Sequence, residues 1–194
     1  VTDIEYAFPT PIIIKKNTDN KIYDEFAALG ELEFNYIDNN IWGKTHKLHP
    51  VKESFNGDVI RKYNMVHISS FIDSAILDYC KVLEVPKFQY SRSSWFTSSD
   101  NGDYAHIHSH GISDLSGVFY YDVGESAGDI FFTTPVESSK ISGIFYKYHS
   151  MNVKHKAEIG KLIMFPGWLN HGVKRNEGNH KRISLSFNIL FNKA

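Results

Sequence analysis

What most constrains this chain is a series of short, strand-like runs that begins at Phe88. Residues 88–97, 103–110, 115–122, 129–133, 141–148, 161–165, 171–175 and 182–191 are rich in β-branched and aromatic side chains. Turn-forming pieces separate them, among them SSDNGD, GESAG, PVESSK and NEGNH. Strands this short and this closely spaced fit a closed or two-sheet antiparallel barrel. The expectation is a mainly β fold with helices packed outside it. Two helices are expected upstream. One spans 18–30, with Thr18 or Asp19 as N-cap and Gly30 as its stop. The other spans 70–84, where Ser70 and Asp73 form a capping-box pattern, Phe71, Ile72, Ala75, Ile76, Tyr79 and Leu83 make an apolar stripe, and Pro86 ends the run. The stretch 31–66 is ambiguous, and its His46 and His49 read as solvated loop imidazoles. The 194 residues are expected to form a single domain, 1–87 as helical and loop support and 88–192 as the β core.

Composition removes several function classes. Lys and Arg number 21 against 22 Asp and Glu, a net charge of −1, so duplex nucleic acid has no general electrostatic footing. No apolar run reaches membrane-spanning length, and VTDIEYAFPTP lacks a signal-peptide pattern. The single cysteine, Cys80, permits no internal disulfide and reads as a small buried hydrophobe, compatible with a cytoplasmic location. Ten histidines are a reason to look for a metal.

Three segments carry the chemistry. In GDYAHIHSHGISDLSG, His106, His108 and His110 alternate along an expected strand and so point to one face. Converging neutral imidazoles are what a first-row transition metal needs. Asp114 follows and offers a carboxylate. A hydrolytic zinc motif of the HxHxDH kind fits poorly, because His110 and Gly111 stand where Asp and His are required. In GKLIMFPGWLNHGVKR, an apolar strand ends at Pro166-Gly167, and a turn there would carry His171 back toward the first cluster. In RISLSFNILF, one face reads Arg182, Ser184, Ser186, Asn188 and the other Ile183, Leu185, Phe187, Ile189, Phe191. Such a strand either wets its polar face or turns it into a cavity. In the second case Arg182 is a buried cation in need of an anion, and a guanidinium fork suits a carboxylate. Trp95, Tyr104, Tyr120 and Trp168 are candidates to line that cavity.

Taken together, the His cluster, the later His171 and the Arg182-x-Ser184 pair resemble the Fe(II)/2-oxoglutarate-dependent oxygenases. HSHGISDLSGVFYY, SAGDIFFTTP, GKLIMFPGWLNHGV and RISLSFN are similar to a group of small oxygenases from phages and bacteria. The resemblance implies a double-stranded β-helix, a jelly-roll or cupin-like barrel, with iron at its mouth. His108, His110 and His171 would be ligands, with Asp114 next in line. Arg182 and Ser184 would hold the far carboxylate of 2-oxoglutarate, and Tyr120 would hydrogen-bond to it. Fe(II), O2 and 2-oxoglutarate would be required, with ascorbate as a candidate reductant, and a small molecule or protein side chain would be hydroxylated with release of succinate and CO2. The location implied is the cytoplasm of a bacterium or phage-infected host. The chain departs from the superfamily's usual His-x-Asp or His-x-Glu, having His108-Ser109-His110. Three imidazoles, a set in which Asp114 replaces one of them, or a pair made of His106 and His108 all remain open. The cupins are the other resemblance: Gly102, His108-x-His110 and Asp114 match their first motif, and Gly160, Pro166 and His171 most of their second. That reading makes Asp114 a fourth ligand of an isomerase or a keto-acid-independent dioxygenase, and leaves Arg182 and Ser184 without a role. A metal-stabilised binding module without turnover is a third class.

Overall fold

The computed structural model describes residues 9–36, 45–50, 57–85, 89–135, 143–148 and 152–192. It has two antiparallel sheets. The larger is made of β1 (Ile13–Lys16), β2 (Asn35–Tyr36), β3 (Lys47–Leu48), β4 (Tyr90–Ser99), β6 (Leu115–Asp122), β9 (Lys161–Pro166) and β11 (Arg182–Phe191), in the order β1-β9-β6-β11-β4-β3-β2. The smaller is made of β5 (Ala105–His108), β7 (Ile130–Thr133), β8 (Asn152–His155) and β10 (His171–Val173), in the order β5-β10-β7-β8. This is the mainly β, double-stranded β-helix arrangement that the strand spacing and the resemblance predict.

Alternation along the central strands gives the large sheet two different faces. Phe96, Phe119, Leu162, Met164, Leu185, Phe187 and Ile189 point outward, into a core shared with α1 (Asn20–Ala27) and α3 (Val66–Val82). Their neighbours Val118, Tyr120, Ile163 and Phe165 point the other way, against Ile130 and Phe132 of the small sheet. Gly117 lies where β6 crosses Phe187, and a Cβ there would land on that ring and on the Ile163 carbonyl.

The two expected helices are present with shifted ends. Asp19 caps α1, its carboxylate accepting from the Lys21 N–H at 3.0 Å. α3 starts four residues before Ser70, whose hydroxyl instead bonds back to the Val66 carbonyl at 2.9 Å. Its first turn is capped from a distance: Glu25 accepts from the His67 and Ile68 N–H groups at 2.7 and 3.0 Å. A cap supplied by another helix leaves no local sequence signal. Leu83, placed on the apolar stripe, is half exposed, and Pro86 lies outside the described residues.

Two expectations are corrected. Residues 143–148 form a short helix, α4 (Gly143–Tyr148), and the strand of that region is β8, which pairs with β7. A short aromatic run such as GIFYKY carries no period long enough to separate helix from strand. The N-terminal portion is also more than support, because β1, β2 and β3 extend both edges of the large sheet. No helix among the described residues is long and apolar enough to cross a membrane.

Gly117→Ala should destabilise the protein by about 1–3 kcal/mol, because Phe187 has no space to yield. Urea denaturation followed by circular dichroism measures it.

Candidate metal centre

The metal candidates meet where β5 and β10 pair. His171 lies directly opposite His108 in that ladder. The Pro166-Gly167 turn makes the pairing possible: Leu169 N–H donates to the Pro166 carbonyl, and Gly167 packs so closely on the Ser113 backbone that any side chain there would collide with it. His110 sits two residues beyond the end of β5, held by its N–H to the Gly167 carbonyl at 2.8 Å. Ring centroids are 4.3 Å apart for His108 and His171, and 5.1 Å for His110 with either partner. One nitrogen from each ring lies within 4.8 Å of the other two.

The tautomers follow from the acceptors. Nδ1 of His108 donates to the His106 carbonyl at 2.7 Å, Nδ1 of His171 to the Leu169 carbonyl at 2.9 Å, and Nδ1 of His110 to Asn188 Oδ1 at 2.6 Å. All three protons are thereby fixed on Nδ1, which makes Nε2 the lone-pair nitrogen in every case. Burial pushes all three imidazoles below their ordinary pKa, with mutual repulsion adding to it at His110 and His171, and His171 falls to about 3. The rings are neutral donors at physiological pH. Three neutral nitrogens, each anchored through its other nitrogen, fit a first-row transition metal.

The same cavity, of about 480 Å³, is walled by the polar face of β11. Arg182, Ser184, Ser186 and Asn188 all turn inward, so the strand's polar face lines a cavity and does not lie in bulk water. Arg182 is only 4% exposed. Its guanidinium donates to the Ala127 and Gly128 carbonyls at 2.7 and 2.9 Å and to Ser99 Oγ at 2.7 Å. Its Nε is buried without a partner, and no carboxylate among the described residues pairs with it. A buried cation held only by neutral oxygens has the chemistry to receive an anion. Ser184 and Tyr120 face each other across β11 and β6 in the same wall, and burial raises the Tyr120 phenol to about 12, so it stays a proton donor.

Several sequence expectations change. His106 is exposed and bonds Tyr104 Oη at 3.3 Å, outside the cluster. The pleat therefore does not carry all three alternating histidines. β5 stops at His108, and a turn delivers His110. Asp114 is also outside the cluster, because its carboxylate accepts from the Phe191 N–H at 2.7 Å and ties down the end of β11. With Asp114 absent and Arg182 in the cavity, the cupin reading loses the fourth ligand it requires. Trp95 and Tyr104 line the cavity, whereas Trp168 is half exposed elsewhere. His46, expected in solvent, lines the cavity beside His108 and Arg182, and burial lowers its pKa. It flanks β3, and His46 and Leu48 line the cavity on either side of Lys47, too short a pattern to read as a strand. His49 bonds Tyr63 Oη and the Glu33 carbonyl at 2.7 and 2.8 Å.

Comparison with known proteins agrees with this geometry. Residues 93–188, which contain His108, His110, His171 and the Arg182-x-Ser184 pair, match the family described as "Putative 2OG-Fe(II) oxygenase". Over these residues the chain belongs to the Fe(II)/2-oxoglutarate-dependent oxygenases. It is thus an oxidoreductase that works with Fe(II), O2 and 2-oxoglutarate. Among solved structures, a prolyl-4-hydroxylase from Pseudomonas putida is similar at 14% identity, over 95% of this chain and 94% of that one, with a TM-score of 0.61. HygX from Streptomyces hygroscopicus, with nickel and 2-oxoglutarate bound, is similar at 10% identity over 93% and 82%, with a TM-score of 0.60. A Trichoplax adhaerens prolyl hydroxylase, in complex with a hypoxia-inducible-factor peptide, is similar at 13% identity over 92% and 83%, with a TM-score of 0.60. At these identities the likeness is one of fold. No curated protein matches the sequence.

Replacing Asp114 by Ala removes an acceptor at the end of β11, not a ligand. It should cost roughly 1 kcal/mol in urea denaturation and leave metal stoichiometry, measured by plasma emission spectroscopy, as in wild type.

Proposed function

We propose that the oxygenase hydroxylates an uncharged part of its substrate, with Fe(II) held by His108, His110 and His171 and the far carboxylate of 2-oxoglutarate held by Arg182. One observation carries the reading: three neutral imidazoles with matched tautomers and a buried, carboxylate-free guanidinium share one cavity. Iron bound there with the keto-acid and O2 supplies the oxidising power to hydroxylate an unreactive C–H bond, the keto-acid leaving as succinate and CO2. The chain's own contribution is position and charge. A donor set without a carboxylate leaves the centre more positive, and with Arg182 it favours a dianion. Ser184 and Tyr120 offer hydroxyl groups beside the guanidinium. Arg182 is close to three main-chain and side-chain oxygens that fix its orientation before any ligand arrives, so little ordering cost falls on binding.

The substrate class follows from the remaining walls. Among the described lining residues Arg182 alone carries a permanent charge. The others include hydroxyls (Ser93, Thr97, Ser186), the Asn188 amide, the His46 imidazole, rings (Trp95, Tyr104) and aliphatic groups such as Leu48 and Ile112. With Arg182 taken by the co-substrate, a charged substrate group would enter without a counterion. A small molecule, or a protein side chain such as the similar prolyl hydroxylases are named for, meets this condition when the entering group is neutral.

Purified protein given Fe(II), ascorbate and 2-oxoglutarate should release succinate without added substrate. Arg182→Ala should raise the KM for 2-oxoglutarate at least about tenfold, since it removes a buried charge from its carboxylate partner. His171→Ala should abolish stoichiometric iron. No succinate from wild type, or an unchanged KM in the arginine variant, would overturn the proposal.

A further inference from the structure

The three imidazoles are not held in the same way. His108 and His171 each donate Nδ1–H to the carbonyl two residues earlier, a bond supplied by their own backbone. His110, beyond the end of its strand, donates to a side chain 78 residues away, Asn188 Oδ1 at 2.6 Å. That oxygen also accepts from Ser116 Oγ at 2.8 Å, and Ser116 is the residue paired with Asn188 between β6 and β11. Trp95, from β4 on the other side of β11, stacks over the His110 ring with centroids 6.0 Å apart and planes at 18°. Acceptor, brace and stacking surface all come from the large sheet, while the imidazole hangs from the small one.

We infer that Asn188, braced by Ser116, is a positioning residue that fixes the His110 proton on Nδ1 and so presents its Nε2 lone pair to the metal. The inference rests on the metal reading proposed above. Without the acceptor, either ring nitrogen can carry the proton and the ring can turn about its Cβ–Cγ bond, so the donor is neither chemically nor geometrically fixed. The other two imidazoles need no such partner. Asn188 thus makes the sequence of β11 part of the metal site without supplying a ligand, and places this contact on the same strand face as Arg182. Loss of a hydrogen-bond partner to a metal-bound imidazole usually costs about 10–100-fold in metal affinity.

The test uses metal-free full-length protein with Co(II) as probe, read by its visible absorption and by tryptophan quenching, beside nitrogen NMR of the imidazoles before metal is added. Asn188→Leu should weaken Co(II) binding about 10–100-fold, toward the value for His110→Ala, and shift the His110 proton away from Nδ1. Asn188→Asp, which keeps an acceptor, should bind Co(II) within about threefold of wild type and keep the proton on Nδ1. Equal losses in the Leu and Asp variants would make Asn188 a packing residue and overturn the inference, as would wild-type Co(II) affinity in the Leu variant. If the Leu variant does not fold, the wild-type spectrum still decides, because a His110 proton found on Nε2 overturns the inference alone. Wild-type protein that fails to bind Co(II) overturns the metal reading itself.

Discussion

The register of β11 is the constraint on which the rest of the structure depends. The strand is central, paired with β4 along ten residues and with β6 along seven. Its odd-numbered side chains, Leu185, Phe187 and Ile189, are fully buried against the helices. That commits its even-numbered ones, Arg182, Ser184, Ser186 and Asn188, to the space between the sheets. A slip of one residue would put Ser184, Ser186 and Asn188 into the core beside the helices and turn Phe187 into the cavity. The hydrophobic effect on one face therefore sets the chemistry of the other. Gly117 is the local condition for it, since only a missing Cβ lets β6 lie over Phe187.

The small sheet contributes the imidazoles, and it does so mostly through backbone. β5 and β10 place His108 and His171 side by side as ladder partners, and each ring is oriented by the carbonyl two residues before it. Phe132 and Phe165 pack beside His171 and exclude water from it, which is why its pKa falls furthest of the three. The Arg182 guanidinium is likewise held by neutral oxygens, two of them carbonyls of the loop before β7. A cation held in this way keeps its charge available to a ligand, whereas a carboxylate partner would have spent it. The protein thus joins a neutral donor set to an unspent positive charge inside one cup.

Much of this was legible in the sequence, and the parts that were not have physical reasons. β6 and β11 run over the residues expected, because both carry long alternating or apolar patterns. The clustering of His108, His110 and His171 was also legible, since a turn at Pro166-Gly167 has few other places to send His171. His106 was misleading because strict alternation assumes an unbroken ladder, and the pairing of β5 with β10 shifts register between Ala105 and His108, the stretch that holds His106. Asp114 was misleading because a carboxylate near a cluster can equally accept from a strand-end N–H, as it does from Phe191. His46 was missed because the strand it flanks, β3, is two residues long. The cap on α3 was missed because Glu25 acts across a tertiary contact. For Asp114 and for the α3 cap the deciding partner was remote in the chain, where local pattern has no reach.

The most direct test of the account is a crystal structure of the protein with Fe(II) under anaerobic conditions and an unreactive 2-oxoglutarate analogue. The account predicts metal on Nε2 of His108, His110 and His171, with the far carboxylate of the analogue on Arg182. Metal bound through Asp114 or away from His171, or an analogue whose far carboxylate lies elsewhere than Arg182, would contradict it.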